Sequence, residues 1–111
     1  MGGVIPYQAD IGEGTILGYQ GLGVVIHKNA KIGMNCTIRQ HVTLGGGGGP
    51  GGGLPVLGNN VNVGANAVIL GNVHIGNNVD IGANAVVLHD LPDNCVAVGA
   101  PARVVKIKTE V

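Results

Sequence analysis

A large aliphatic residue returns at every sixth position through residues 57–91: Leu57, Val63, Ile69, Ile75, Ile81 and Val87. This period predicts an all-β solenoid, a single-domain left-handed parallel β-helix of hexapeptide repeats. Six is neither the 3.6 of an amphipathic helix nor the plain alternation of a strand. Two further observations agree. Small residues follow most of these aliphatics (Gly58, Gly64, Gly76, Gly82), as tight corners require. The 111 residues also include 22 Gly, no Trp or Phe and only 2 Tyr. That is too little aromatic material for a conventional core, but Ile, Val, Leu and Ala suffice to fill a narrow stacked coil. Three sides make a coil of about 18 residues. The pattern therefore predicts Leu57 against Ile75, Val63 against Ile81, and Ile69 against Val87.

Taken in order, residues 1–9 form a lead-in without repeat character. Asp10 begins the first side, with Ile11 inward, Gly12 at the corner and Leu17 next. Ile26 follows nine positions after Leu17, so three extra residues bulge at a corner within residues 18–23. Insertions at solenoid corners shape binding surfaces. The longer step makes Leu17 stack on Ile38. The register then runs through Ile26, Ile32, Ile38 and Leu44. The glycine-rich stretch 45–53, with Leu54 and Pro55, is read as one loop excursion, and the register returns at Leu57. Residues 87–92 break the pattern, residues 92–94 read as a turn, and residues 97–105 close a β-helix domain spanning residues 10–105. Residues 106–111 are left as a surface tail, and the counts give about five coils.

Composition excludes several classes. Net charge is zero, 11% of residues are charged, and no basic stripe appears, which argues against a nucleic-acid partner. No apolar run reaches membrane-spanning length. Cys36 and Cys95 fall in different coils without CxxC spacing, as expected of a reduced pair in the cytoplasm. The glycine run lacks a following Lys-Ser/Thr, against a triphosphate loop. The histidine spacing offers no pair for zinc, so no metal is expected.

Three motifs carry a family likeness: Val42-Thr43-Leu44-Gly45-Gly46, Ile81-Gly82-Ala83-Asn84-Ala85-Val86-Val87, and Val98-Gly99-Ala100-Pro101-Ala102-Arg103-Val104. With the six-residue register they resemble the hexapeptide-repeat acyltransferases over residues 10–105, most closely the serine acetyltransferase branch. The resemblance implies a homotrimer with acetyl-CoA in the groove between neighbouring prisms. It also implies that Ala65 and Ala83 line the pantetheine groove. Where that branch has Asp-His before its Gly-Val-Val stretch, this chain reads Tyr19-Gln20-Gly21-Leu22 before Gly23-Val24-Val25. Where the branch ends its excursion in Arg-His-Pro, this chain has Gly53-Leu54-Pro55. Capsule and surface-sugar acetyltransferases share the fold, so the expected acceptor is a sugar or a serine-like molecule.

Acetyl transfer to a hydroxyl needs a general base and donors for the thioester oxyanion, and His suits the first role at neutral pH. His27 occupies a corner that the repeat normally gives to Gly or Ala, stacked over Gly45 at the root of the excursion. His41 lies one strand spacing, about 4.8 Å, from the Tyr19-Gln20 corner where the family's base sits. The two fall on adjacent sides of the prism. His74 and His89 read as surface and turn residues. The backbone amides of Gly45 and Gly46 are candidates to approach the thioester, since no Cβ intervenes. Arg103 and Lys106 are candidates to meet CoA phosphates. The expected function is a CoA-dependent O-acetyltransferase. The alternative is a non-catalytic trimeric β-helix scaffold whose base was lost at Gln20.

Overall fold

A two-residue strand holds no structure alone, so each strand here must borrow its hydrogen bonds from a copy of itself one coil away. The computed structural model describes residues 10–46 and 53–108. The lead-in, the centre of the glycine excursion (residues 47–52) and residues 109–111 lie outside the described residues. The first level contains β1 (Asp10–Ile11), β2 (Ile16–Leu17) and β3 (Val25–Ile26). The second contains β4 (Lys31–Ile32), β5 (Thr37–Ile38) and β6 (Thr43–Gly45), and the third β7 (Val56–Leu57), β8 (Asn62–Val63) and β9 (Val68–Leu70). The fourth contains β10 (His74–Ile75), β11 (Asp80–Ile81) and β12 (Val86–Val87).

Parallel ladders gather these into three walls: β1-β4-β7-β10, β2-β5-β8-β11 and β3-β6-β9-β12. Leu57 pairs with Ile75, Val63 with Ile81 and Ile69 with Val87, as the period requires. Leu17 pairs with Ile38, and Ile32 with Leu57 across the excursion. The fold is the expected left-handed β-helix. A partial fifth level comprises Leu91, bridged to Ile75, and β13 (Cys95–Val98), parallel to β11.

The interior is one aliphatic stack. Ile26, Ile38, Leu44 and Ile69 are at most 1% exposed, each burial stabilising by about 1.5–3 kcal/mol. Ile11 and Leu17 stay partly exposed because no described level covers the first. At most corners the third residue after the inward aliphatic turns left-handed: Asn35, His41, Asn60, Asn66, Asn78, Asn84 and Asn94 have φ of 57–64°. Asn tolerates that region better than most residues. A side-chain ladder ties one corner together. Asn59 Oδ1 accepts from Met34 N, Asn77 Oδ1 from Asn59 N, and Asp93 Oδ1 from Asn77 N, at 2.7–2.8 Å.

One strand has no counterpart in the repeat. β14 (Arg103–Ile107) runs antiparallel along β13 and carries regular structure past residue 105, so Lys106 and Ile107 are strand residues. Lys108 then reaches back, its Nζ 3.0 Å from an Asp80 carboxylate oxygen and 3.1 Å from Asn78 O.

Candidate active site

The third wall, β3-β6-β9-β12, has two long edges, and the candidate residues divide between them. The first edge begins at the three-residue insertion, a 3₁₀ turn over Gly18–Gly21. Inside it Tyr19 (φ 49°, ψ 39°) and Gln20 (φ 57°, ψ 30°) are both left-handed. Two successive non-glycine residues in that region are disfavoured, at about 1–2 kcal/mol each. The turn closes through Leu22 N donating to Tyr19 O at 3.1 Å, and His41 N donates to Leu22 O at 2.9 Å. This packs the turn on the next level as the nine-residue step predicts. The His41 ring lies across Gly23, where an added Cβ would overlap His41 Nδ1. Gly23 itself has φ 66°, so the backbone favours glycine, and a Cβ there would displace the His41 ring. The His41 side chain is exposed, and its imidazole bonds to no other described residue.

Below His41 the same corner repeats. Asn66 N donates to Gln40 O (3.1 Å), Asn84 N to Ala65 O (2.9 Å), and Val86 N to Gly99 O (2.9 Å). Gln40, Ala65, Ala83 and Gly99 therefore form a column of mostly small residues down this edge. Arg103 pairs with Val98 at its foot, and Lys106 pairs with Val96 at the far end of β13. Arg103 is thus placed at the foot of the column and Lys106 is not. Arg39 was missed by sequence reasoning. It stands in the corner row that holds Gly18, Gly64, Gly82 and, at the last level, Val98, with an added Gly18 Cβ 3.3 Å from Arg39 Cα. A lone cation in a row mostly of glycines was the available signal.

The second edge carries His27, whose N donates to Leu44 O at 2.9 Å. Its Nδ1 accepts from Asn29 N at 3.2 Å. Gly45 and Gly46 lie here, bordered by Leu70 (3.2 Å from an added Gly45 Cβ) and Leu54 (3.4 Å from an added Gly46 Cβ). Four residues of strand separate the edges, roughly 13 Å at about 3.3 Å per residue. His27 and His41 therefore bracket one wall, and the Gly45 and Gly46 amides accompany His27. His74 lies on the first wall, its N bonded to Asp90 Oδ1 at 2.8 Å, and His89 is exposed. His74 joins neither edge, whereas His89 follows Leu88 at the second, two residues past the end of β12.

Cys36 and Cys95 are buried and unpaired in one inward column, with Val61 and Val79 between them. Three coil spacings part them, roughly 14 Å. Burial pushes the Cys95 thiol pKa up, against a smaller opposing pull from Lys108. Among the described residues no three His, Cys, Asp or Glu side chains converge as metal ligands. None of the described helices is long and apolar enough to cross a membrane.

Residues 55–89 match the family described as bacterial transferase hexapeptide (six repeats). The chain is 51% identical over 98 residues to a serine acetyltransferase of Synechococcus elongatus, covering 87% of this chain and 40% of that protein. It is 48% identical over 90 residues to the putative colanic acid biosynthesis acetyltransferase WcaB of Escherichia coli, covering 81% of this chain and 56% of that protein. The crystal structure of Neisseria gonorrhoeae serine acetyltransferase superposes with a TM-score of 0.86 at 42% identity, over 94% of this chain and 40% of that one. The chain thus spans between two fifths and just over half the length of these proteins. Repeat, fold and likeness agree: residues 55–89 carry the hexapeptide transferase repeat, and over most of its length the chain is similar to serine acetyltransferases.

Proposed function

We propose that the chain carries the β-helix of an O-acetyltransferase that moves acetyl from acetyl-CoA to a hydroxyl of a small acceptor, a sugar or a serine-like molecule. The observation that carries this reading is the first edge of the third wall. An unengaged imidazole (His41) heads a column of small residues (Ala65, Ala83) that ends at a cation (Arg103). A long thin arm such as pantetheine suits the column, and Arg103 suits a phosphate at its end. The naming of its relatives as acetyltransferases supports the donor.

The geometry favours His41 over His27 as the base. His27 Nδ1 already accepts a backbone hydrogen bond, so a neutral His27 carries its proton on Nε2 and is set to donate. His41 is free to take the acceptor's proton. The deprotonating oxygen attacks the thioester carbonyl, the tetrahedral oxyanion collapses, the C–S bond breaks, and the proton passes from His41 to the leaving thiolate.

A trimer completes the site. The outward residues of the third wall are Val25, Thr43, Val68 and Val86, whereas the first presents Asp10, Lys31 and His74 and the second presents Asp80. The wall without ionisable side chains is the one to turn toward a threefold axis. Each His41 edge then meets a neighbour's His27 edge, with the Gly45 and Gly46 amides available for the oxyanion. Buried unpaired thiols fit a reducing cytoplasm.

Thiol release from acetyl-CoA tests the assignment. His41→Asn places a residue already used at the equivalent left-handed corners, Asn66 and Asn84, so the fold is retained. Turnover should fall by roughly 10²–10⁴-fold with CoA binding intact. Full activity in His41→Asn, or an equal loss in His27→Ala, would move the base to the other edge.

A further inference from the structure

We infer that the acceptor is a sugar, seated on the ring of Tyr19 at the strained insertion. This rests on the acetyl-transfer reading and names its acceptor class. Tyr19 is one of 2 tyrosines in a chain without Trp or Phe. It is 74% exposed, on a turn held in disfavoured left-handed geometry through both Tyr19 and Gln20. A turn so short needs glycine or asparagine for comfort, and an aromatic side chain there relieves nothing. Strain that the surrounding structure maintains is characteristic of ligand contacts.

The neighbours define what the ring would hold. The turn packs directly on Arg39, Gln40 and His41, through the Gly18 contact with Arg39 and the His41–Leu22 hydrogen bond. Asn66 follows one level on, its N bonded to Gln40 O. Residues 18–23, 39–41 and 64–66 contain no Asp or Glu. A serine zwitterion needs an anion for its ammonium, and this corner supplies none. A pyranose needs an apolar platform for its C–H face and neutral groups for its hydroxyls. Tyr19, with the amides of Gln20, Gln40 and Asn66, matches that demand. His41, beside the turn, would then take the proton of one ring hydroxyl.

The test uses the full chain with Tyr7→Phe, which leaves Tyr19 as the single tyrosine fluorophore. Galactose, glucose, N-acetylglucosamine and L-serine are titrated separately, and thiol release from acetyl-CoA is measured with each. At least one sugar should change the Tyr19 emission, and L-serine should not. In the parent chain Tyr19→Ala should raise KM for that sugar about five- to tenfold with a smaller change in kcat, and Tyr19→Phe should restore it. Turnover confined to L-serine, an unmoved Tyr19 signal with every sugar, or an unchanged sugar KM in Tyr19→Ala would each overturn the inference. Calorimetry with CoA separates the two readings. Sugar quenching without CoA binding would sink the transfer reaction and leave the sugar site standing. CoA binding with L-serine as the working acceptor would do the reverse.

Discussion

Left-handed corner residues make this structure's turns, and the proposed base is one of them. His41 sits where Asn66 and Asn84 sit one and two levels on, so the proposed base occupies a position whose backbone geometry the fold already enforces. Its orientation depends on Gly23. Gly23→Ala adds a Cβ at φ 66°, costing about 1–2 kcal/mol, and drives that Cβ into His41 Nδ1. The expected outcome is a lowered urea midpoint together with turnover reduced at least tenfold. A stable variant with full turnover would show that the ring is not held by Gly23. Much of this site was legible in the chain. The nine-residue step from Leu17 to Ile26 locates the turn and sets His41 beside it, although a bulky ring at a corner usually held by Gly or Ala pointed instead to His27. The Nδ1 engagement of His27 was not legible, because it depends on a side-chain rotamer that no spacing encodes.

At the scale of the strand, order comes from neighbours along the axis. The wall registers were readable because one aliphatic per side carries the whole period. β14 was not, since its pairing depends on a chain reversal after Gly99 that occurs once and leaves no repeat. Its anchor is Lys108 on Asp80. Burial pushes the Asp80 carboxyl up, but the Asn62 hydrogen bond and the Lys108 ammonium outweigh it and hold the group below its ordinary value. A depressed folded pKa contributes stability that is present above the unfolded value, near 3.9, and is lost as pH falls through the folded value. Both groups are partly solvated, so the pair contributes at most about 1 kcal/mol. Lys108→Ala should therefore lower stability in urea melts at neutral pH, and the gap from wild type should shrink below about pH 4. A gap of equal size near pH 3 would remove the ion pair as the cause.

For the whole molecule, the three walls differ in what they show to solvent. The third presents Val25, Thr43, Val68 and Val86, with Leu70 and Leu88 at one corner. A trimer around that wall is expected in sedimentation or light scattering at micromolar concentration. Val68→Lys should dissociate it and abolish turnover while sparing the circular dichroism of the coil. A monomeric wild type with full activity would exclude a shared site. The insertion at Gly18–Gly21 and the excursion after Gly46 add residues at corners, yet the ladders on either side keep their pairing, Leu17 to Ile38 and Ile32 to Leu57. The hydrogen bonds that build the walls run between levels, so a corner segment is an exchangeable cassette. On the proposed reading, replacing six residues, 18–23, would change which molecule is acetylated and leave Ala65, Ala83 and Arg103 on the donor's edge untouched.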